Sequence, residues 1–280
     1  MDIISSPIEM QNLCRGIIMQ GRSLGLVPTM GALHKGHLSL MQKARQQNDV
    51  LTVSIFVNPV QFGPHEDLEQ YPRDMAGDIE KIEAVPVDIL FNPGVKDIYP
   101  EGYSTYVEVE RMSNALCGMY RPGHFKGVTT VVTKLFNIIR PTRAYFGQKD
   151  YQQSAIIRKL VKDLNMDIDL VVCPTIREPD GLAMSSRNSY LSPKQRDAAA
   201  VIYATLTLGK NLITEGHRDA KAVQEAMLEN LKKEPLIEDI DYVAIVDTET
   251  LSPIEHISEQ VLLAIAIRIG KTRLIDNIIV

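Results

Sequence analysis

The 280-residue sequence has no apolar stretch approaching the roughly 20 residues that span a bilayer, which removes a membrane-spanning role from consideration. Its first residues, MDIISSPIEM, lack the basic region and apolar run of a secretory signal, so the expected location is the cytoplasm. It has no surplus of positive charge either. The formal net charge is −5 and the pI near 5.7, leaving no broad field to hold a polyanion, so nucleic acid is not an expected partner. Cysteines number three, Cys14, Cys117 and Cys173, far apart and without CxxC spacing. That pattern excludes both a zinc knuckle and a disulfide framework. Repeats and low-complexity tracts are also missing.

What is present suits an ordinary folded protein, with 45% apolar and 23% charged residues. Short β-rich runs alternate with amphipathic helical segments through about residue 175, the pattern of a parallel sheet covered on both faces. The strands expected are Leu24–Pro28, Val50–Val57, Ile89–Phe91, Ala144–Phe146 and Asp169–Pro174, with helices over Leu38–Gln47, Val128–Ile139 and Tyr151–Asn165. Beyond residue 189 the character changes. Helical periodicity runs from Pro193 to Leu212 and from Asp219 to Lys232, and strands over Tyr242–Val246, Val261–Ile269 and Arg273–Ile279 make a small antiparallel sheet turning at Gly270–Lys271. The fold class is therefore α/β, a Rossmann-like parallel-sheet domain over residues 1–176 and a smaller C-terminal α+β domain over 177–280. A cleft between the two is a frequent place for a ligand.

Four segments carry chemistry. In VPTMGALHKGHLSLMQKA an apolar strand gives way to a Gly-containing turn and then a helix, a geometry that presents backbone N–H groups and a positive helix end to an anion. His34 and His37 flank Gly36 there, and the absent side chain of Gly36 leaves room for a phosphate. The same pair could be two surface histidines or half of a metal site, although no further ligands lie nearby in the chain. In FGQKDYQQ, residues 146–153, Lys149 can reach a phosphate and Asp150 can accept from ribose hydroxyls or merely cap the helix; Gln153 shares that face. In GLAMSSRNSYLS, residues 181–192, Ser185, Ser186 and Arg187 offer several donors to phosphate oxygens, or form a polar linker. In SIFVNPVQFGPHEDLEQYPRD, Asn58 and Gln61 leave a strand end, where their amides could bind a small acid or only satisfy the backbone. Residues Gly63 to Asp74 could form a lid over the site.

Taken together and in order, MGALHKGH, FVNPVQF, RPGHFKGV, GQKDYQQ and AMSSRN resemble the pantothenate synthetases, or pantoate–β-alanine ligases, across nearly the whole chain. The HxGH element is also similar to that of nucleotidyltransferases and class I aminoacyl-tRNA synthetases, and AMSSRN stands where KMSKS-type loops sit. The resemblance implies condensation of (R)-pantoate with β-alanine at the expense of ATP through a pantoyl-adenylate, with Mg²⁺ entering with the nucleotide and no protein metal site assigned. It further implies a homodimer. Carried onto this chain, it places Met30, Gly31, Ala32, Leu33, His34, Lys35, Gly36 and His37 at the ATP site, with Gly147, Gln148, Lys149, Asp150, Ile176, Met184, Ser185, Ser186 and Arg187. His37, His34 and Lys149 are the expected catalytic groups, His37 as proton donor. Gln61, Gln153 and Asn58 are assigned to pantoate, and Gln61 also to β-alanine. Two departures stand out: Arg187 replaces the second lysine of KMSKS, and Gln148 stands where glutamate is frequent. Competing readings are a nucleotidyltransferase that keeps the nucleotide in its product and a nucleotide-sensing module without catalysis. A tRNA ligase is disfavoured by the acidic balance.

Overall fold

A computed structural model describes residues 1–64 and 66–280. Its first element was not expected from the sequence: strand β1 (Asp2–Ile4) precedes helix α1 (Pro7–Met19), whose start is written in Ser6, Pro7 and Glu9. Ser6 caps the helix by accepting from the Glu9 N–H, and proline suits the first turn because its missing N–H is not needed there. Then follow β2 (Leu24–Thr29), α2 (Lys35–Gln47), β3 (Val50–Ile55), α3 (Met75–Glu83), β4 (Ile89–Phe91) and the short α4 (Val95–Ile98) and α5 (Cys117–Tyr120). Helix α6 (His124–Ile139), β5 (Arg143–Gly147), α7 (Tyr151–Asp163) and β6 (Asp169–Cys173) complete the first sheet.

Its six strands are all parallel in the order β1-β4-β3-β2-β5-β6. Being covered on both faces, the strands read as continuous apolar runs, and successive residues feed alternate layers. Leu24, Leu26, Ala144 and Phe146 pack on one side with Met10, Leu135 and Ile139. Val27, Leu51, Val53 and Tyr145 pack on the other with Met41 and Ile82. After β2 the chain builds outward through β3 and β4, then returns to the opposite side of β2 with β5. That reversal makes β2/β5 the topological switch point, where the crevice beyond the strand ends collects ligands.

The expected single helix from Pro193 to Leu212 is instead two, α8 (Pro193–Ala199) and α9 (Val201–Thr214), breaking at Ala200. Helix α10 (Ala220–Leu231) follows, then β7 (Ile237–Asp247), β8 (Val261–Ile269) and β9 (Thr272–Ile279) in an antiparallel sheet with its own apolar core. Gly270 takes the turn at φ +56°. Strand β7 begins five residues earlier than the pattern suggested, since its exposed acidic start, Glu238 and Asp239, hides the strand from an apolar reading. Among the described residues no helix is long and apolar enough to cross a membrane.

Candidate active site

At the carboxyl end of β2 the chain turns through Gly31 at φ +82° and Ala32 at φ +49° into α2. A non-glycine residue in that region is strained and needs support. Asp78 of α3 supplies it. Its carboxylate, 1% exposed, accepts the N–H of Ala32 at 2.8 Å and of Leu33 at 2.7 Å. A Cβ on Gly31 would lie 2.9 Å from Asp78 Oδ2, so the turn and the carboxylate fit only with glycine there.

The two histidines form the cap of α2. The His34 N–H donates to His37 Nδ1 at 3.3 Å, and the Gly36 N–H donates to His34 Nδ1 at 3.1 Å. This reciprocal cap satisfies two of the helix's free donors. It also sets both tautomers: with Nδ1 accepting, the proton of each neutral ring resides on Nε2. The ring centroids are 4.1 Å apart. Burial lowers the His34 pKa to about 4, with the Lys149 ammonium contributing. Burial, then the neighbouring His34, lowers His37 to about 3. The helix N-terminus opposes a cation at the same place. Gly36 has a reason besides the one expected: a Cβ there would stand 2.8 Å from His34 Cε1, so glycine makes room for the capping ring.

Asn58 and Gln61 leave the end of β3. Asn58 is 1% exposed, and its amide donates to Gln61 Oε1 at 3.1 Å and to the Gly127 carbonyl at 3.0 Å. Its Oδ1 accepts from the Tyr99 hydroxyl at 2.8 Å and the Val60 N–H. With those partners it holds Gln61, whose own amide reaches Met30 Sδ at 2.9 Å. Gly127 of α6 allows this: a Cβ would meet Gln61 N and Val60 C at 2.6 Å.

Across the cleft, Lys149 and Asp150 follow Gly147 at the end of β5, with Lys149 Nζ 3.4 Å from Asp150 Oδ1. Burial would raise the Asp150 carboxyl, but the Lys149 ammonium, through its charge and its hydrogen bond, together with Arg187 outweighs it and keeps the group below the usual carboxylate range. Gln153 lines the cleft from α7, whereas its neighbour Gln152 is turned inward, bonded to the Cys117 N–H and to the carbonyls of Met112 and Ala115. Ile176 and Met184 are joined by a Met184 N–H bond to the Ile176 carbonyl at 2.9 Å. Ser185 caps the turn that follows by accepting from the Arg187 N–H, and Ser186 Oγ donates to the Ala32 carbonyl at 3.1 Å. The serine loop and the histidine turn are thus tied directly.

Two arginines are engaged by the segment expected to act as a lid. Arg187 makes a two-toothed pair with Asp67, at 2.9 and 2.8 Å. Arg121 pairs with Glu66 and contacts His124, whose Nδ1 donates to the Gln61 carbonyl at 2.8 Å. Burial, then Arg121, lowers the His124 pKa to about 4. Within that segment His65 lies outside the described residues.

Met30, His34, Gly36, His37, Asn58, Gln61, Gly147, Lys149, Asp150, Gln153, Ile176, Met184, Ser185, Ser186 and Arg187 all line one open cleft of about 1420 Å³ including its mouth. Gly31, Ala32, Leu33, Lys35 and Gln148 belong to the supporting turns instead. Sequence reading passed over Asp78, Gly127, Tyr99 and the Glu66–Asp67 pair, which bear on the site only through contacts 41 to 120 residues away in the chain.

A parallel sheet, a cleft at its switch point and a tandem-imidazole helix cap facing a lysine define an α/β enzyme built to hold a small anionic substrate. The pantoate-beta-alanine ligase family model matches residues 2–279. Curated pantothenate synthetases from Thermodesulfovibrio yellowstonii and Thermotoga petrophila are 55% and 53% identical, over 100% of this chain and 100% and 99% of theirs. The solved pantothenate synthetase of Thermus thermophilus superposes with a TM-score of 0.93 at 43% identity, covering 99% of both chains. A pantoate-beta-alanine ligase from Francisella tularensis, complexed with beta-gamma ATP and beta-alanine, gives a TM-score of 0.80 at 37% identity over 99% of this chain and 97% of that one. The chain belongs to the pantoate-beta-alanine ligase family, and its reaction is the joining of pantoate to β-alanine to give pantothenate.

Proposed function

We propose that the cleft activates (R)-pantoate with ATP as a pantoyl-adenylate, and then transfers the pantoyl group to the amine of β-alanine. The observation carrying this reading is the arrangement of His34 and His37 at the α2 N-terminus opposite Lys149, with Gln61 and Gln153 in the same cleft. Pantoate's carboxylate is ionised at neutral pH, so it attacks the α-phosphorus without a protein nucleophile. The new O–P bond forms as the bond to pyrophosphate breaks, and pyrophosphate leaves with the electron pair. In the second step the free-base amine nitrogen bonds to the acyl carbon and loses one proton to solvent, and AMP departs with the electrons of the C–O bond.

In this scheme the imidazoles are neutral Nε2–H donors to phosphate oxygens. The pKa values near 4 and 3 favour the neutral rings near neutrality, so in this scheme His37 acts as a donor through its Nε2–H. Positive charge comes from Lys149 and Arg187, and each well-placed donor contributes about 3 kcal/mol to lowering the barrier. Ser185, Ser186 and the backbone of Ile176 and Met184 complete the nucleotide site. Gln61 and Gln153 grip pantoate, Asn58 orients Gln61, and Gln61 borders the β-alanine position. Residues 1–176 form the domain that binds nucleotide and pantoate, and 177–280 the domain that carries the MSSR loop, in a protein that assembles as a homodimer.

Among the described residues no group of three His, Cys, Asp or Glu could hold a metal ion. Of the nearby carboxylates, Asp78 holds two amides, while Glu66, Asp67 and Asp150 are paired with Arg121, Arg187 and Lys149. In this scheme Mg²⁺ belongs to the substrate, as MgATP.

The test is pyrophosphate–ATP exchange with and without pantoate, before any amine is added. Pantoate-dependent exchange supports the adenylate; exchange that requires β-alanine removes it. AMP appearing only on addition of β-alanine distinguishes a ligase from an enzyme that keeps the nucleotide in its product, and sedimentation at the single-chain mass would remove the homodimer.

A further inference from the structure

Asn277 sits on β9, in the C-terminal sheet, opposite Ala264 of β8. It is 4% exposed. Its side-chain amide crosses out of that sheet to the loop after β5, donating to the Gln148 carbonyl at 3.0 Å and to the Lys149 carbonyl at 2.8 Å. Those two bonds fix the amide's orientation, because only the NH₂ end can donate to both carbonyls. Its Oδ1 is buried without a partner. A buried acceptor left unsatisfied is unfavourable, so this asparagine is placed for its two donors.

The preceding residue, Asp276, has a matching role on the other loop. It pairs with Arg177, which also donates to the Gly181 carbonyl and stands at the foot of the hairpin leading to Met184–Arg187. Consecutive residues of one strand therefore reach two site loops, and Asn277 holds the one that carries Lys149.

We infer that Asn277 is a positioning residue for the ligation: by clamping the Gln148 and Lys149 carbonyls it sets where the Lys149 ammonium stands in the cleft. This rests on the role proposed above for Lys149. Displacing a charge-stabilising group by about 1 Å lowers rates by as much as 10²-fold, and nothing else in the C-terminal sheet donates to that loop among the described residues.

The experiment compares Asn277→Asp and Asn277→Ser with the parent, alone and combined with Lys149→Ala, by pantoate-dependent pyrophosphate exchange and by thermal unfolding. Asp removes the donors at constant size and Ser shortens the reach, so one variant remains informative if the other fails to fold. The expected result is a loss of roughly 10- to 100-fold in kcat with KM for pantoate unchanged, and no further loss when either is added to Lys149→Ala. Parent-like turnover overturns the inference. So does a full multiplicative loss in the Lys149→Ala background, which would mark a merely structural residue. A parent without pantoate-dependent exchange defeats the functional reading instead; a crystal structure of Asn277→Asp then decides the positioning role, which fails if residues 148–150 superpose unchanged.

Discussion

The two walls of the cleft are held by different means. The histidine wall is built from backbone: each imidazole is fixed by an amide of its own turn, and the turn by a buried carboxylate. The arginine wall is held by ion pairs with a connecting loop, Arg121 with Glu66 and Arg187 with Asp67. In the proposed scheme the donors to developing charge are best fixed before substrate arrives, and the first wall holds its imidazoles in that way. Arginines paired to carboxylates are available by exchange, since a phosphate can take the place of the acid. Rigidity and exchangeability are thus divided between two sides of one site.

That contrast can be broken from either side. The largest effect is expected at the fixed wall and its facing lysine: His37→Ala or Lys149→Ala lowers kcat for pantothenate formation by about 10²- to 10³-fold, with unfolding unchanged for Lys149→Ala and a loss of about 1 kcal/mol for His37→Ala, which leaves the His34 amide uncapped. Steady-state kinetics beside a melting curve checks this, and undiminished turnover would strike the residue from the mechanism. Next is the prop beneath the wall. Asp78→Ala leaves the Ala32 and Leu33 amides unpaired and destabilises the fold by about 1–3 kcal/mol, read by denaturant unfolding, with turnover falling alongside; a fully stable, fully active variant would show that the turn holds itself.

At the exchangeable wall effects are smaller. Asp67→Asn frees Arg187 from a pair whose side chains are about a quarter exposed; if the pair contributes about 1 kcal/mol, the upper end for surface pairs, ATP binding tightens by no more than about fivefold and stability falls by a similar small amount. Calorimetric titration with a non-hydrolysable ATP analogue measures it, and weaker binding would mean that the pair shapes the site rather than competing for it.

In turnover, the least change is expected from pH. Folded His34, His37 and His124 titrate near 4, 3 and 4 against an ordinary 6.5. Between about pH 6.5 and 4 the unfolded chain therefore binds more protons, so stability is complete above pH 6.5 and declines as pH falls. Pantoate-dependent exchange, which involves no amine, should stay level from pH 8 to pH 6, whereas Tm should already drop by pH 5. An inflection in the exchange rate that vanishes in His37→Asn would contradict the neutral assignment.

The parallel sheet was legible because its strands are buried on both faces, so Val50–Ile55 and Ile89–Phe91 stand out as apolar runs. Met30, His34, His37, Asn58 and Lys149 were legible because they follow the ends of β2, β3 and β5 in turns that carry Gly31, Gly36, Pro59 and Gly147. The first helix was written in SSPIE as a cap, a proline and an acidic third position, a signal that a search for a secretory leader alone does not use. Asp78 was not legible: it reads as one more acid on an amphipathic helix, and its value comes from amides 45 and 46 residues earlier. Asn277 reads as a polar residue in a closing strand, and its partners lie 128 and 129 residues back. Likewise the spacing of His34 and His37 announced a site, but only the hydrogen bonds to Nδ1 revealed their charge state.

The Ser186 hydroxyl on the Ala32 carbonyl joins positions 154 residues apart. During synthesis, at about 5–20 residues per second, the histidine turn leaves the ribosome many seconds before the serine that fastens it. The turn after β2 thus waits unfastened while β3 to β6 are made, and this edge of the pocket closes only when Ser186 has emerged.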